Sequence, residues 1–344
     1  MLPNQEIIAV EYKNICYLCN SKGSALYKNL KDRLYSVPGD WGVSSCAKCG
    51  LLWLNPSPTK EDAHKTYRTY YTHSASNKNL NSLPRKLFDR LKNTYIHQKY
   101  GYDFKPNFID IIASKLIYLY PGRRADFDFN VFYLNKKNNG TLLDVGCGSG
   151  IFIENMANLG WNAEGIDFDK SAVLNAQSKG LKVNFGDLKS QNIKENSFDA
   201  ITMSHVLEHV YDPITLLKEC LKILKPNGKL MIATPNNQSL AHKIYKINWF
   251  PLDPPRHLFI FNPQNLIQIA KLAGFKKLSV QTSIRGGAGI FVGSKDIKKS
   301  GHYDMNKKRS FVENIRARIF EYIGWLILKF DKNAGEEIIL SGEK

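Results

Sequence analysis

The chain has 344 residues, 43% of them hydrophobic, and a formal net charge of +17, which suits a core domain with an appendage and a sizeable buried core. No run of about eighteen uncharged apolar residues and no basic leader occur, so neither a transmembrane helix nor a signal peptide is indicated, and we expect a cytoplasmic protein. The charge favours an anionic partner such as nucleic acid, a phosphorylated sugar or an anionic membrane surface, although solvated lysines explain it equally well.

Four of the six cysteines form two C-x-x-C pairs: Cys16, Cys19, Cys46 and Cys49. Doubled pairs of this kind are typical of four thiolates that hold a structural zinc ion tetrahedrally, and chance thiols are the alternative. Such pairs indicate a reducing compartment and not a disulfide framework. Alternating and aromatic residues at 26–43 predict a hairpin between the pairs. We therefore expect a zinc ribbon over residues 1–58.

Residues 59–139 are expected to form a helical connector or cap. Helical composition with tyrosines and basic residues occurs at three places: residues 60–71, 85–100 and 107–120. Pro121 and Gly122 predict a turn before the polar residues that lead into the next strand.

The stretch TLLDVGCGSG at residues 141–150 joins an apolar strand to a glycine-rich turn. Its glycines are Gly146, Gly148 and Gly150. Glycine permits positive φ and a close approach of backbone to a ligand, and residues 151–159 predict a helix whose N-terminus faces that ligand. The third glycine comes one residue earlier than in the dinucleotide fingerprint, and Asp144 would repel a pyrophosphate. The loop therefore favours a nucleotide-like ligand with a cationic group.

Strand and helix patterns alternate after this loop and predict a parallel sheet covered on both faces. Further strands are predicted at residues 162–167, 182–187, 197–204, 229–236 and 275–284. Helices are predicted at residues 171–179, 214–225 and 262–273. Asp167 and Asp187 each end one of these strands, and a carboxylate at the first of these positions suits both ribose hydroxyls of an adenosine.

These residues resemble the class I S-adenosylmethionine-dependent methyltransferases, in which LDVGCGSG is the cofactor loop. The resemblance covers about residues 141–284 without a break. It implies an α/β, Rossmann-like fold with a seven-stranded, mostly parallel sheet whose last strand is antiparallel, within residues 140–344. It also implies that S-adenosylmethionine is bound, with the ribose at Asp167 and the adenine near Asp187. The cofactor-binding residues expected on this basis are Asp144, Gly146, Cys147, Gly148, Gly150, Asp167, Phe168, Asp187, Leu188 and His205.

The resemblance leaves residues 335–344 as the candidate for the antiparallel strand, so residues 285–334 become an insertion. A helix is expected at residues 311–330. Its apolar stripe comprises Val312, Ile315, Ile319, Ile323, Leu326, Ile327 and Phe330. Basic residues surround the stripe: Lys307, Lys308, Arg309, Arg316, Arg318 and Lys329. We expect the stripe to pack as a lid or dimer element, and peripheral contact with an anionic membrane is the alternative.

Candidate catalytic residues lie in residues 249–257, WFPLDPPRH, after the strand at 229–236. Three prolines and two aromatic residues stiffen this loop at the edge where open α/β sheets bind ligands. An imidazole accepts a proton near neutral pH, so His257 is the favoured general base and Arg256 the favoured anchor of an anionic acceptor. The alternative is that both residues only tie the loop to the sheet. His209 is a weaker candidate.

The combination of CxxC…CxxCG, LDVGCGSG, HVLEHV, TPN and PPRHLFIF resembles the bacterial small-molecule branch of the class. Its relatives include quinone O-methyltransferases and enzymes of polysaccharide and cell-envelope modification. The resemblance implies methyl transfer to a small-molecule or glycan-type acceptor, and we expect O-methylation. Two alternatives remain: an RNA methyltransferase that grips phosphates with the ribbon and a basic arm, and a non-catalytic cofactor-binding module.

Overall fold

A computed structural model describes residues 7–67 and 83–344 of the chain. These residues form two compact units, each made of separate segments of the sequence. The first unit comprises residues 7–67, 205–218 and 232–342. The second unit comprises residues 83–204, 219–231 and 343–344. The domain boundaries 1–58, 59–139 and 140–344 stay a prediction, because clusters of contacts need not coincide with domains that fold alone.

The described elements are named here in chain order. The strands are β1 (Val10–Glu11), β2 (Ser24–Leu30), β3 (Trp41–Ser45), β4 (Leu52–Leu54), β5 (Ser57–Pro58), β6 (Thr141–Val145), β7 (Asn162–Asp167), β8 (Val183–Phe185), β9 (Phe198–Ser204), β10 (Leu224–Pro235), β11 (Phe259–Ile260), β12 (Lys276–Ser283) and β13 (Glu337–Glu343). The α-helices are α1 (Leu83–Tyr100), α2 (Phe108–Lys115), α3 (Pro121–Asn130), α4 (Ile151–Asn158), α5 (Lys170–Ser178), α6 (Pro213–Ile223), α7 (Leu240–Tyr245), α8 (Pro263–Ala273), α9 (Gly287–Ser300) and α10 (Phe311–Ile327).

The first unit contains a four-stranded sheet with strand order β11-β4-β3-β2, and three of its strands flank the two cysteine pairs in the sequence. β2 and β3 pair antiparallel, which confirms the hairpin predicted between the pairs. β3 and β4 are also antiparallel. β1 and β5 form a separate two-stranded pair.

The strand β11 joins this ribbon sheet although it lies some 200 residues further along the chain. Phe259 pairs with Trp53, and Ile260 pairs with Leu52. The amide of Leu54 donates to the carbonyl of Leu258 at 2.9 Å. The sheet around the cysteines is therefore not built from residues 1–58 alone, and the PPRHLFIF stretch supplies its edge strand.

The principal sheet has seven strands in the order β12-β13-β10-β9-β6-β7-β8. β6 pairs in parallel with β7 and with β9, and β7 pairs in parallel with β8. The last strand, β13, is antiparallel, as the resemblance implies. Leu142 and Leu143 in the central strand β6 are buried, as expected of a parallel strand covered on both faces.

Local signals explain where several helices begin and end. Asp169 caps α5 by accepting hydrogen bonds from the amides of Ser171 and Ala172. Asn262 and Asn265 form a capping box at α8, and Pro263 occupies its first turn. These helices start within one residue of their predicted positions.

Two predicted strands differ from the structure in length. β8 covers only Val183–Phe185, because Gly186 has a φ of 117° and turns the chain away. β10 begins at Leu224, five residues before the predicted start at residue 229, so residues 226–228 lie inside the strand. Asn227 there has a φ of 62°, which bends the strand without ending it.

The insertion contains two helices and not one. α9 was not predicted, and it packs against α10 and α7 in the first unit. α10 begins at the predicted residue and ends three residues early, at Ile327. A capping box between Ser310 and Glu313 starts this helix.

The predicted apolar stripe of α10 is not the face that packs. The buried residues of α10 are Ala317, Phe320, Glu321 and Gly324. Six of the seven stripe residues are large hydrophobics exposed to solvent: Val312, Ile315, Ile319, Ile323, Leu326 and Phe330. Small residues such as Ala317 and Gly324 let the neighbouring elements approach closely, which apolar periodicity alone does not reveal.

In the connector, α1 and α2 cover the patches predicted at 85–100 and 107–120, the latter with a 3₁₀ turn at Leu116–Leu119. The turn expected at Pro121 is wrong, because this proline occupies the first turn of α3, where it is well tolerated. Of the helix expected at 60–71, residues 60–62 form a turn and Ala63–Tyr67 form a 3₁₀ turn, while residues 68–71 lie outside the described residues. Among the described helices, none combines the length and apolar composition that a membrane crossing requires.

Candidate functional site

The glycine loop between β6 and α4 turns through three positive φ angles. Gly146, Gly148 and Gly150 have φ of 74°, 54° and 77°. Residues with side chains rarely adopt this conformation, so the backbone path favours glycine at each position. A Cβ atom at Gly150 would also lie 2.6 Å from the Leu181 side chain, which is too close for two carbon atoms. The loop that precedes α4 therefore has no side chain at these three positions.

Cys147 lies in this loop, but its side chain belongs to the core. It packs in a buried cluster with Ile153, Val173 and Val183. Burial raises the pKa of its thiol well above the ordinary range, so the group is unreactive. Only the backbone of Cys147 is available to a ligand.

Asp144 is a buried carboxyl group in β6, and it accepts a hydrogen bond from Thr202 Oγ1 at 2.6 Å. Burial raises the pKa of this carboxyl to about 7, against the lowering effect of the Thr202 bond, and the charge of Asp167 adds to the rise. The group is therefore partly protonated near neutral pH. A cation beside it would shift it to the carboxylate form.

Asp167, at the end of β7, holds the glycine loop in place. Its Oδ2 accepts a hydrogen bond from the amide of Gly148 at 2.6 Å. Its Oδ1 accepts one from the amide of Asp169 at 2.8 Å. Each oxygen keeps a further lone pair for a ligand hydroxyl. The ring of Phe168, the next residue, is 72% exposed.

Asp187 follows β8 in a short turn. Its Oδ1 accepts a hydrogen bond from the amide of Ser190 at 2.7 Å. Leu188 beside it is buried. Because β6, β7 and β8 are parallel neighbours, the glycine loop, Asp167 and Asp187 lie along one carboxyl edge of the sheet. The structure thus places Asp167 and Asp187 at the ends of neighbouring strands, as the sequence predicts.

His205 directly follows β9 with a φ of 54°, an unusual backbone conformation for a residue with a side chain. Its Nδ1 lies 3.1 Å from Glu208 Oε1, and its Nε2 lies 2.9 Å from Glu337 Oε1. Burial lowers the pKa of the imidazole, but the bonds to both carboxylates outweigh burial and raise it to about 9. The side chain is 43% exposed, so solvent weakens these interactions. Its side chain is engaged with carboxylates, and its predicted role at the cofactor would fall to its backbone.

Arg256 is buried in an ion-pair network within the first unit. Its Nη1 and Nη2 donate to the two oxygens of Asp32 at 2.7 and 2.8 Å. Its Nε donates to Asp253 at 3.0 Å, and its guanidinium lies 4.8 Å from the Tyr35 ring centre. This geometry favours the alternative in which Arg256 fixes its loop. Its role as an anchor for an anionic acceptor stays a prediction.

His257 and His209 lie side by side, with ring centres 4.7 Å apart at an angle of 72°. His257 Nδ1 donates to the carbonyl of Pro251 at 2.7 Å, and His209 Nδ1 donates to that of Arg256 at 3.0 Å. Burial and the neighbouring His257 lower the pKa of His209 to about 4. The structure thus places His209 beside His257, whereas the sequence predicts the two histidines as separate candidates.

Two buried acids of this region were not predicted as functional: Asp32 and Glu208. Asp32 is 224 residues from Arg256, and no local pattern links the two. Glu208 has no exposed surface, and it accepts hydrogen bonds from Thr234 Oγ1 and from His205. The HVLEHV stretch places Glu208 between two histidines, and that spacing is the signal that could have identified it.

The four cysteines of the ribbon form one cluster. Three Sγ pairs lie 3.4 to 3.8 Å apart, and all four atoms lie within 4.8 Å of one another. Zinc bound to four thiolates at about 2.3 Å places sulfur atoms roughly 3.8 Å apart. The side-chain Nδ2 groups of Asn262 and Asn265 donate to the carbonyl of Cys49, which fixes the second C-x-x-C pair. The cluster fits a closed, structural zinc site.

Comparisons with known proteins agree with this geometry. Residues 123–280 match the family model described as a methyltransferase domain. The ubiquinone biosynthesis O-methyltransferase of Ralstonia nicotianae is 29% identical over 39% of this chain and 62% of its own length. That of Xanthomonas oryzae pv. oryzae is 38% identical over 29% of this chain and 45% of its own length. The chain thus spans less than two thirds of these relatives.

The solved structures to which the chain is similar include an S-adenosylmethionine-dependent methyltransferase from Archaeoglobus fulgidus. It is 21% identical, with a TM-score of 0.43 over 69% of this chain and 100% of its own. A second is the phosphoethanolamine N-methyltransferase 2 of Haemonchus contortus, 17% identical, with a TM-score of 0.45 over 85% of this chain and 62% of its own.

The family model and the sheet lead to the same assignment independently. The family model covers the glycine loop and both strand-end carboxylates. The last strand of the seven-stranded sheet in chain order is antiparallel, as the resemblance implies. Residues 123–280 thus match a methyltransferase domain, and the sheet has the strand arrangement that the resemblance to the class I enzymes implies.

Proposed function

We propose that the protein transfers a methyl group from S-adenosylmethionine to an oxygen atom of a small-molecule or glycan-type acceptor. The observation that carries the proposal is the glycine loop together with the carboxylates of Asp144, Asp167 and Asp187. The curated relatives support oxygen as the acceptor atom, since their names describe O-methyltransferases.

The site offers a partner for each part of the cofactor. Asp144 in its carboxylate form suits the ammonium group, because opposite charges at a buried position attract strongly. Asp167 can accept hydrogen bonds from the ribose hydroxyls through its remaining lone pairs. Asp187 and the buried Leu188 suit the adenine. When bound, the cofactor supplies a methyl group on a sulfonium, and the protein has to orient the acceptor and exclude water.

We propose His257 as the general base, because a hydroxyl acceptor of high pKa must lose its proton. The bond from Nδ1 to the Pro251 carbonyl leaves Nε2 to accept that proton. We infer that Arg256 positions this loop through Asp32 and Asp253, since both carboxylates already bind its guanidinium. His257→Gln is expected to lower kcat on the order of 100-fold and to leave cofactor affinity nearly unchanged.

We further propose that the exposed face of α10 contacts an anionic surface. Large apolar side chains on a helix normally face a partner, and Arg316, Arg318 and Lys329 lie exposed on the same helix and just beyond its end. An anionic membrane satisfies both features, since its headgroups attract the basic residues while its acyl region receives the apolar ones. A lid or a second copy of the chain are the other outcomes of the test.

The substrate class is tested with cofactor that carries a labelled methyl group. The enzyme is incubated with a cell extract, and the label is measured in separated RNA, protein, lipid, glycan and small-molecule fractions. Label in the lipid, glycan or small-molecule fraction supports the proposal. Label confined to RNA contradicts it. Tight cofactor binding without label in any fraction would instead support a non-catalytic binding module.

A further inference from the structure

A second cluster of metal-ligating side chains lies outside the ribbon. It consists of Glu208, His209 and His257, with one ligand atom from each residue within 4.8 Å of the others. The amide of Leu258 donates to the carbonyl of Glu208 at 2.8 Å, so a backbone bond ties together the two segments that carry the cluster. The grouping is therefore built into the fold of the first unit.

The hydrogen bonds of the two imidazoles determine which nitrogen can bind a metal. His209 Nδ1 lies 3.0 Å from both the carbonyl of Arg256 and the hydroxyl of Tyr67, which can accept a hydrogen bond, and His257 Nδ1 lies 2.7 Å from the carbonyl of Pro251. A carbonyl only accepts, so each Nδ1 carries the hydrogen, and each neutral ring keeps its lone pair on Nε2. Histidines that ligate metals show this arrangement, because the second nitrogen donates to a carbonyl or carboxylate that orients the ring.

The third member supplies a charged oxygen ligand. Glu208 has no exposed surface, and bonds from Thr234 Oγ1 at 2.9 Å and from His205 orient its carboxylate. Each of its oxygens retains a lone pair. Asp253 Oδ2 lies 3.9 Å from His257 Nε2 and adds negative charge beside the cluster.

We propose that Glu208, His209 and His257 form a binding site for a divalent transition metal of the zinc type. Two imidazoles and one carboxylate are a ligand set that Zn²⁺ and its neighbours prefer. Ligand atoms around zinc lie roughly 3.4 Å apart, so the side chains have to close slightly around the ion. Three protein ligands leave at least one position open, in contrast to the closed ribbon site.

Metal binding here has a consequence for His257. The ion would occupy the same Nε2 lone pair that a general base needs, so His257 serves as the base only in the metal-free state. This consequence rests on the proposed function, whereas the metal site itself does not. The test therefore measures metal and not methyl transfer.

The experiment adds Co²⁺ to the purified full-length protein and records visible absorption. Elemental analysis beforehand should give one zinc per chain, lost in Cys46→Ser. We expect one further equivalent of Co²⁺ with d–d bands and without the thiolate-to-cobalt charge-transfer band that ribbon binding would produce. His209→Gln and His257→Gln should each weaken this binding at least on the order of 100-fold. His302→Gln, an exposed imidazole outside the cluster, should leave it unchanged.

The proposal is overturned if the folded wild-type protein takes up no second metal ion. It is also overturned if both cluster variants bind Co²⁺ as tightly as His302→Gln does. Circular dichroism checks that each variant is folded. If His209→Gln fails to fold, the half-buried position of His209 is the cause, and His257→Gln together with Glu208→Gln decides the question.

Discussion

At the scale of single residues, the protein buries carboxyl groups whose ionisation depends on their partners. Asp144 has a hydroxyl partner and a neighbouring carboxylate, and its burial raises its pKa to about 7. Burial also raises the pKa of Asp32, but the hydrogen bonds and charge of Arg256 outweigh burial and lower it. Asp144 is expected to pair with a cationic group of the ligand, whereas Asp32 already pairs with the guanidinium of Arg256. The pKa values of these two carboxyl groups are therefore shifted in opposite directions.

The first prediction concerns pH and ligand affinity at Asp144. A bound ammonium group stabilises the carboxylate, so affinity for S-adenosylhomocysteine should rise between about pH 6 and pH 8, with a proton released on binding. Asp144→Asn should bind more weakly and lose this pH dependence. Calorimetry in buffers of different ionisation enthalpy measures both effects. An unchanged affinity in Asp144→Asn would show that this carboxyl does not face the ammonium.

The second prediction concerns stability at Asp32. Asp32→Asn leaves the buried Arg256 with one carboxylate instead of two, which should cost about 3 kcal/mol in the free energy of unfolding. Because the pKa of Asp32 is lowered by folding, its contribution is present above its unfolded pKa and is lost as the pH falls through the lower folded value. Urea unfolding at neutral and acidic pH measures it.

The matched control for Asp32 is Asp40, an exposed acid that pairs with Lys31 at the surface. Asp40→Asn should leave the urea midpoint nearly unchanged, since exposed ion pairs contribute little. Equal effects of the two substitutions would contradict a structural role for the Arg256 network.

At the scale of elements, close packing and strand pairing form elements that the hydrophobic pattern of the sequence does not predict. α9 contains three glycines, which disfavour a helix on propensity alone. A Cβ atom at Gly293 would lie 2.6 Å from the Phe250 ring, so glycine is required where this helix meets that ring. β11 has only two residues and becomes a strand because β4 offers a free edge. Neither element has a local signal strong enough to predict it.

The third prediction concerns the exposed face of α10. If this face meets an anionic membrane, the protein should cosediment with vesicles that contain phosphatidylserine and not with neutral vesicles, with binding weakened by salt. Ile319→Glu should abolish cosedimentation. Leu272→Glu, at an exposed leucine of α8, is the matched control and should not.

Other outcomes of the α10 experiment are informative. A lack of vesicle binding combined with a dimer that Ile319→Glu dissociates would assign the face to a second copy of the chain. Equal binding by both variants would place the membrane contact elsewhere on the protein.

At the scale of the whole molecule, the sequence predicts the sheet better than what surrounds it. The positions of the glycine loop, Asp167 and Asp187 are predictable because each lies at or just beyond the end of a strand, whereas their contacts with the cofactor stay a prediction. The ribbon cysteines are predictable from their spacing within the sequence. The surroundings of Arg256 and His257 depend on residues far along the chain, and β11 joins the ribbon sheet across some 200 residues. No pattern within a single sequence specifies such contacts.

The central claim is that the glycine loop binds S-adenosylmethionine. Calorimetric titration with the cofactor tests it in wild type, in Gly148→Val and in Gly289→Val. Gly148 has a φ of 54° and is predicted to approach the ligand, whereas a Cβ atom at Gly289 meets nothing within 4 Å. We expect tight binding by wild type and Gly289→Val and no measurable binding by a folded Gly148→Val. Binding by Gly148→Val with wild-type affinity would contradict the claim.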